Sequence, residues 1–161
     1  MANNNHPCIG AGPGNVTQIN EKRKYQCGGT IPAGRPVAFI DATAVAALVS
    51  GDTAPGYLDG NVVDLSDLDA ANPTLGYTIG VSAEAGTAGG WIDVIVAGII
   101  DVAMLTDGSV EEGDVLIPTA TAGTVGGTAG ETQDLYGFAI ALADDSSTAQ
   151  LVNTAVMMKR I

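Results

Sequence analysis

From Trp91 to Leu105 apolar and polar positions alternate. Ile92, Val94, Val96, Gly98, Ile100, Val102 and Met104 form one uncharged parity, while the other runs Trp91, Asp93, Ile95, Ala97, Ile99, Asp101, Ala103 and Leu105. Period two predicts β-structure, with the first parity turned toward the core. On the second parity, acids flank the apolar patch Ile95, Ala97 and Ile99. Such a patch is expected to be covered by a second sheet or by another subunit. Gly98 is expected to bend the segment into two strands, because glycine inside a strand often marks a bulge or corner.

The same alternation recurs in two hairpin-like units. Gly76 to Ala83, a glycine-rich turn and Trp91 to Val96 make the first; Gly137 to Ala143, the turn Asp144 to Ser147 and Leu151 to Val156 make the second. A turn-to-strand unit also has an echo: Ile31-Pro32-Ala33-Gly34 leads into Val37 to Ile40, and Val110-Glu111-Glu112-Gly113 leads into Val115 to Ile117. Repeated hairpins with such turns predict a mainly β fold, a small antiparallel β-barrel or β-sandwich. Ala42 to Val49 is alanine-rich and ambiguous between helix and loop. Residues 51–73, acidic and turn-rich, read as a long surface loop. Residues 1–30 are rich in Asn, Gly, Pro and charge, and bury too little apolar area to order alone, so they read as an extended N-terminal arm before a body at 31–161.

Composition sharpens this picture. The chain has 161 residues, enough for one domain and an arm, with 46% hydrophobic but only 4% aromatic residues and 22 glycines, so its core must be aliphatic. Charge is partitioned. Between Pro36 and Met158 there is no lysine or arginine, and every acidic residue except Glu21 lies there; Lys22, Arg23, Lys24 and Arg35 precede the stretch and Lys159 and Arg160 follow it, for a net charge of −12. An acidic body cannot bind a polyphosphate by counterion release, so nucleic acid is not an expected partner. The basic Glu21 to Lys24 run, with only Tyr25 as an aromatic neighbour, suits an acidic protein surface better.

Candidate chemistry is sparse. Ile9-Gly10-Ala11-Gly12-Pro13-Gly14-Asn15 resembles a dinucleotide fingerprint, but Asn15 stands where its last glycine belongs and no apolar strand precedes it. The acids Asp64, Asp67 and Asp69 and the pair Asp144-Asp145 lack calcium-loop spacing and read as solvated turn charge. His6, the single histidine, and Cys8 lie in the arm, too close together for a zinc site on their own. No triad, cofactor or metal is expected, and the chain reads as a non-enzyme. The start, Met1 to Pro7, lacks an export-signal pattern, so Cys8 and Cys27 are expected as free thiols. The Trp91 to Leu105 run is too short and too acidic to span a bilayer, so no membrane association is expected.

Ile79 to Ala85, Gly89-Gly90, Ile92 to Val102, the turn-strand Val110 to Val115, and Gly137 to Ala143 with Leu151 to Val156 together resemble the core of the capsid decoration (cement) proteins of tailed bacteriophages. The resemblance covers residues 76 to 157, about half of the chain, and rests on alternation and glycine turns. It implies a virion protein on the outer capsid surface, present in the host cytoplasm during assembly, that clamps major capsid protein subunits. It also implies a homotrimer, with a dimer as the other possibility. In that setting Lys22, Arg23, Lys24 and Arg35 are the expected capsid contacts, and Ile95, Ala97 and Ile99 the expected subunit interface. The alternative is a surface β-module that binds a carbohydrate or host receptor, for which Trp91 and Tyr57 are the available aromatics.

Overall fold

The computed structural model describes residues 20–40, 61–66, 74–128, 137–145, 151–152 and 155–157. Those residues form strands and turns without a helix. In chain order the strands are β1 (Glu21–Cys27), β2 (Pro36–Ile40), β3 (Val62–Leu65), β4 (Thr74–Ser82), β5 (Trp91–Ile100), β6 (Met104–Leu105), β7 (Val115–Pro118), β8 (Val125–Thr128), β9 (Ala139–Ala141), β10 (Leu151–Val152) and β11 (Ala155–Met157). The order β1-β3-β2-β4-β5 closes on itself because β5 also pairs with β1. This is a closed barrel, antiparallel except for the parallel β1–β3 joint. Closure leaves the barrel itself without an unpaired edge strand among the described residues. From β5 the sheet continues through β11, β9 and β7 to β8, and β6 pairs with β10 in a small second sheet.

Two cores result. Cys27, Ile31, Val37, Val63, Ile92 and Val94 fill the barrel, with Tyr25, Phe39, Leu65, Ile79 and Val96 packed around them. Tyr25 and Phe39 meet edge to face, ring centres 5.6 Å apart at 74°. The second core lies between the barrel's outer wall and the satellite sheet β11-β9-β7-β8. It joins Val81 and Ile95 of the wall to Ile100, Met104, Val110, Leu116, Val125, Phe138, Ala139 and Ala141.

One strand can serve both cores only by changing which face it presents. In β5 the even positions Ile92 and Val94 point into the barrel, yet Ile100, of the same parity, belongs to the second core. The switch falls at Gly98, which holds φ at +95°, a value that side-chain-bearing residues seldom adopt. β4 makes the same change at Ile79. Val37 faces Gly80 while Ala38 faces Thr78, so Ile79 is an extra residue in the ladder, a bulge that reverses the alternation. Ile79 therefore packs on the barrel core and Val81 on the other.

The echoing turns are one hydrogen-bonded device used twice. Gly34 and Gly113 both have positive φ, +73° and +92°. The Gly34 N–H donates to Ser82 O (2.8 Å), and Ser82 N–H donates to Arg35 O (2.9 Å). In the satellite lobe Gly113 N–H donates to Ala141 O and Ala141 N–H to Asp114 O, both at 2.9 Å. Ile31 bridges Gly86 and Val110 bridges Asp145 in the same relation. Each turn thus seats one buried aliphatic residue, Ile31 or Val110, against its own core.

Four expectations need correction. The arm does not extend to residue 30, because Glu21–Cys27 is a barrel strand whose last residue is wholly buried; alternation there was masked by the exposed charges at its start. The acidic loop at 51–73 contains β3, whose Val62 and Val63 are both buried, Val63 in the barrel core. The returning strand of the second hairpin is divided: Leu151 and Val152 pair with β6, and only Ala155 to Met157 return to β9. Asp144-Asp145 is not a solvated pair, since Asp145 is only 7% exposed. The Ala42 to Val49 segment lies outside the described residues.

Candidate interaction surfaces

The acidic end of the satellite sheet is built by its turns. Asp114 caps the turn before β7, its carboxylate accepting the Glu111 N–H at 2.9 Å, and Asp144 accepts the Glu112 N–H at 2.7 Å. Between them opens a cleft of about 400 Å³ lined by Gly108, Ser109, Val110, Glu111, Asp144 and Asp145. At its base Thr106 donates its hydroxyl to the buried Asp145 carboxylate, and Ser109 donates to Asp107 at 2.5 Å. Among the described residues no three His, Cys, Asp or Glu side chains are grouped to hold a metal. The cleft's chemistry is that of an open carboxylate surface. Asp64, from the other candidate cluster, is half-buried and accepts the Leu65 N–H at 2.8 Å; Asp67 and Asp69 lie outside the described residues, as do the glycine string at 9–15, His6 and Cys8.

The basic candidates divide into two kinds. Lys22, Arg23 and Lys24 are exposed on β1. Arg23 pairs with Glu21 (2.9 Å) and Lys24 with Asp93 across the β1–β5 ladder (2.9 Å). The hydrogen bond to Glu21 raises the Arg23 pKa, and the bond to Asp93 raises that of Lys24, with Glu84 adding a smaller pull. Arg23 is therefore matched by Glu21, and Lys24 by Asp93 and Glu84, while Lys22 is in no ion pair among the described residues. Arg35 is different. It is half-buried, its guanidinium donates to Gly123 O at 3.2 Å, and burial lowers its pKa. Arg35 pins the turn before β8 to the barrel.

The expected seam is divided as well. Ile95 is wholly buried, paired with Val81 on the barrel wall and covered by the chain's own satellite sheet. For Ile95 the covering is therefore the chain's own satellite sheet and not a second subunit. Ala97 and Ile99 remain half-buried. Ile99 starts a lateral row: it faces Val156 on β11, which faces Ile140 on β9, which faces Val115 on β7. Directly paired residues share one face of a sheet, and Ile140 is 36% exposed. Leu142, two positions on from Ile140, is 43% exposed. In this strand the alanines point inward and the large aliphatics outward. The signal was present in Ala139-Ile140-Ala141-Leu142-Ala143, but reading it required knowing which parity is inside.

Among the described residues the exposed aromatics do not form one platform. Tyr77 is 43% and Trp91 47% exposed, but they lie four residues away, in opposite directions, from the paired Val81 and Ile95. At about 3.3 Å per residue that separates them by roughly 26 Å. Tyr57 lies outside the described residues. Cys27 is a free thiol in the barrel core, pushed up to about 11 chiefly by burial, with Asp64 and Glu84 contributing.

No protein-family model matches the chain, and no curated protein matches its sequence. Among solved structures, it is similar to the N base of head fiber gp8.5 of bacteriophage phi29, with 18% identity, 88% of this chain and 96% of that chain covered, and a TM-score of 0.48.

Proposed function

We propose that this chain is a structural protein of a phage head, attached to the outside of the shell as a decoration or cement protein that stabilises contacts between major capsid protein subunits. The observation that carries the reading is the fate of residues 76 to 157, the segment that resembles phage decoration proteins. They run from β4 to β11 and build the barrel wall together with everything packed upon it. A closed barrel holds that lobe rigidly, and an acidic exterior keeps the protein soluble and away from packaged DNA. The described cleft is lined by Ser109 and carboxylates and by no lysine, arginine or histidine, which favours a binding role over a catalytic one. Carbohydrate binding is a poorer account, because the exposed aromatics stand far apart. Purified protein added to bare heads should bind saturably and raise their resistance to heat or denaturant; absence of saturable binding defeats the proposal.

A further inference from the structure

We propose that the outer face of the satellite sheet is a docking surface for a protein partner whose contact has an aliphatic centre and a lysine- or arginine-rich rim. The inference rests on the head-attachment reading, in which the shell subunit supplies that contact. Three observations carry it. The row Ile99, Val156, Ile140, Val115 crosses four adjacent strands without a charge. Its strand β9 is inside out, with Ala139 and Ala141 buried while Ile140 is exposed, as is Leu142 just past the strand's end. A sheet that only had to close its own core would place the larger side chains inward, since burial of an Ile or Leu side chain is worth about 1.5–3 kcal/mol.

The rim decides the partner's charge. Glu111, Glu112, Asp114 and Asp144 stand at the end of this face, on the turns that lead into β7 and out of β9. None of the four is in an ion pair among the described residues, and no lysine or arginine exists between Pro36 and Met158 to neutralise them. On β1, by contrast, Arg23 already has Glu21 beside it and Lys24 has Asp93 and Glu84, leaving Lys22 alone outside an ion pair among the described residues of that strand. Charge complementarity therefore favours a basic partner at the satellite face over an acidic partner at β1. A second copy of this chain fits poorly, since it brings a net charge of −12 and, among the described residues, two of the three cations on its β1 are already paired.

The test compares three proteins on bare heads: the unaltered chain, Ile140→Asp with Leu142→Asp, and Lys22→Gln with Arg23→Gln and Lys24→Gln. Thermal melts confirm folding, and Ile140→Thr with Leu142→Thr, which keeps strand propensity, replaces the Asp pair if that pair unfolds. The apolar-face variant should lose about thirty-fold or more in apparent affinity, the scale of a two-residue hot spot. The β1 variant should stay within about three-fold, and binding of the unaltered chain should weaken with salt. Equal binding of the apolar-face variant and the unaltered chain overturns the inference while leaving head attachment intact. Failure of the unaltered chain to bind removes both. If the apolar-face substitutions instead halve or further reduce the mass of the free protein in sedimentation, the occupant is a second copy and the inference is wrong.

Discussion

The twin turns provide an internal control for the cost of a single methyl group. Gly34 and Gly113 occupy equivalent places and share positive φ, so Gly→Ala imposes the left-handed penalty at both, about 1–2 kcal/mol. Restricting the unfolded chain returns about 0.4–1 kcal/mol in each case. There the equivalence ends. A Cβ at Gly113 would meet nothing within 4 Å, whereas a Cβ at Gly34 would lie 1.8 Å from the Ala103 carbonyl oxygen. Backbone cannot rotate away as a side chain can, so the turn must lift. Overpacking of this kind costs about 1–3 kcal/mol, and losing the Gly34 bond to Ser82 adds about 1–3 kcal/mol if its groups are left unpaired. Gly113→Ala should therefore cost about 1 kcal/mol and Gly34→Ala about 3–7 kcal/mol, against a total of about 5–15 kcal/mol for a domain of this kind. Urea titrations followed by circular dichroism would read the difference as a shift of midpoint at unchanged slope. Indistinguishable midpoints for the two variants would refute the packing argument and leave backbone conformation as the whole cost.

Other outcomes follow from the cores and charges. Ile95→Ala should lower stability by about 2–5 kcal/mol without changing the sedimenting mass, because Ile95 lies under the chain's own sheet; a change of mass with unchanged stability would restore it as a subunit contact. Phe138→Ala, at a wholly buried position of the second core, should cost about 3–5 kcal/mol by the same denaturation measurement. In a Cys8→Ser background the Cys27 thiol should resist thiol reagents at pH 8 until denaturant is added, and fast native labelling would contradict its burial. Because burial raises the Cys27 pKa to about 11, the unfolded chain releases its proton first as pH rises. Relative to Cys27→Ala, the protein should lose stability between the ordinary thiol range and about pH 11, and keep that contribution below it.

The sequence pattern went furthest where one rule governed a whole element. Alternation in Trp91 to Leu105 correctly marks Ile92, Val94, Ile100 and Met104 as buried, but Gly98 does not divide the segment into two strands: β5 runs through it to Ile100, and the break before β6 falls at residues 101–103. Parity alone could not show that these residues belong to two cores, because it assumes one alternation throughout, and the positive φ at Gly98 reverses which face the strand presents. Residues 21–27 and 62–65 were hidden for another reason: short strands that carry Lys22 to Lys24 or Asp64 look polar, and their membership of the sheet depends on partners distant in sequence. The candidate site was least legible. Nothing in Ala139 to Leu142 says which parity faces inward, so the exposure of Ile140 and Leu142 could not be read, and Arg35 was expected as a capsid contact although its backbone and side chain both secure turns.

The division of β5 at Gly98 also bears on how the molecule comes apart. Its first half is a stave of the barrel and its second half an edge for β11, so neither lobe keeps a complete wall without the other. Peeling away the satellite sheet would uncover Val81 and Ile95; opening the barrel would free the strand on which the satellite hangs. The two cores are thus thermodynamically coupled through one ten-residue strand. A protein that must hold while pulled from outside gains from that arrangement: force applied to either lobe is resisted by both, and the chain should yield in a single step.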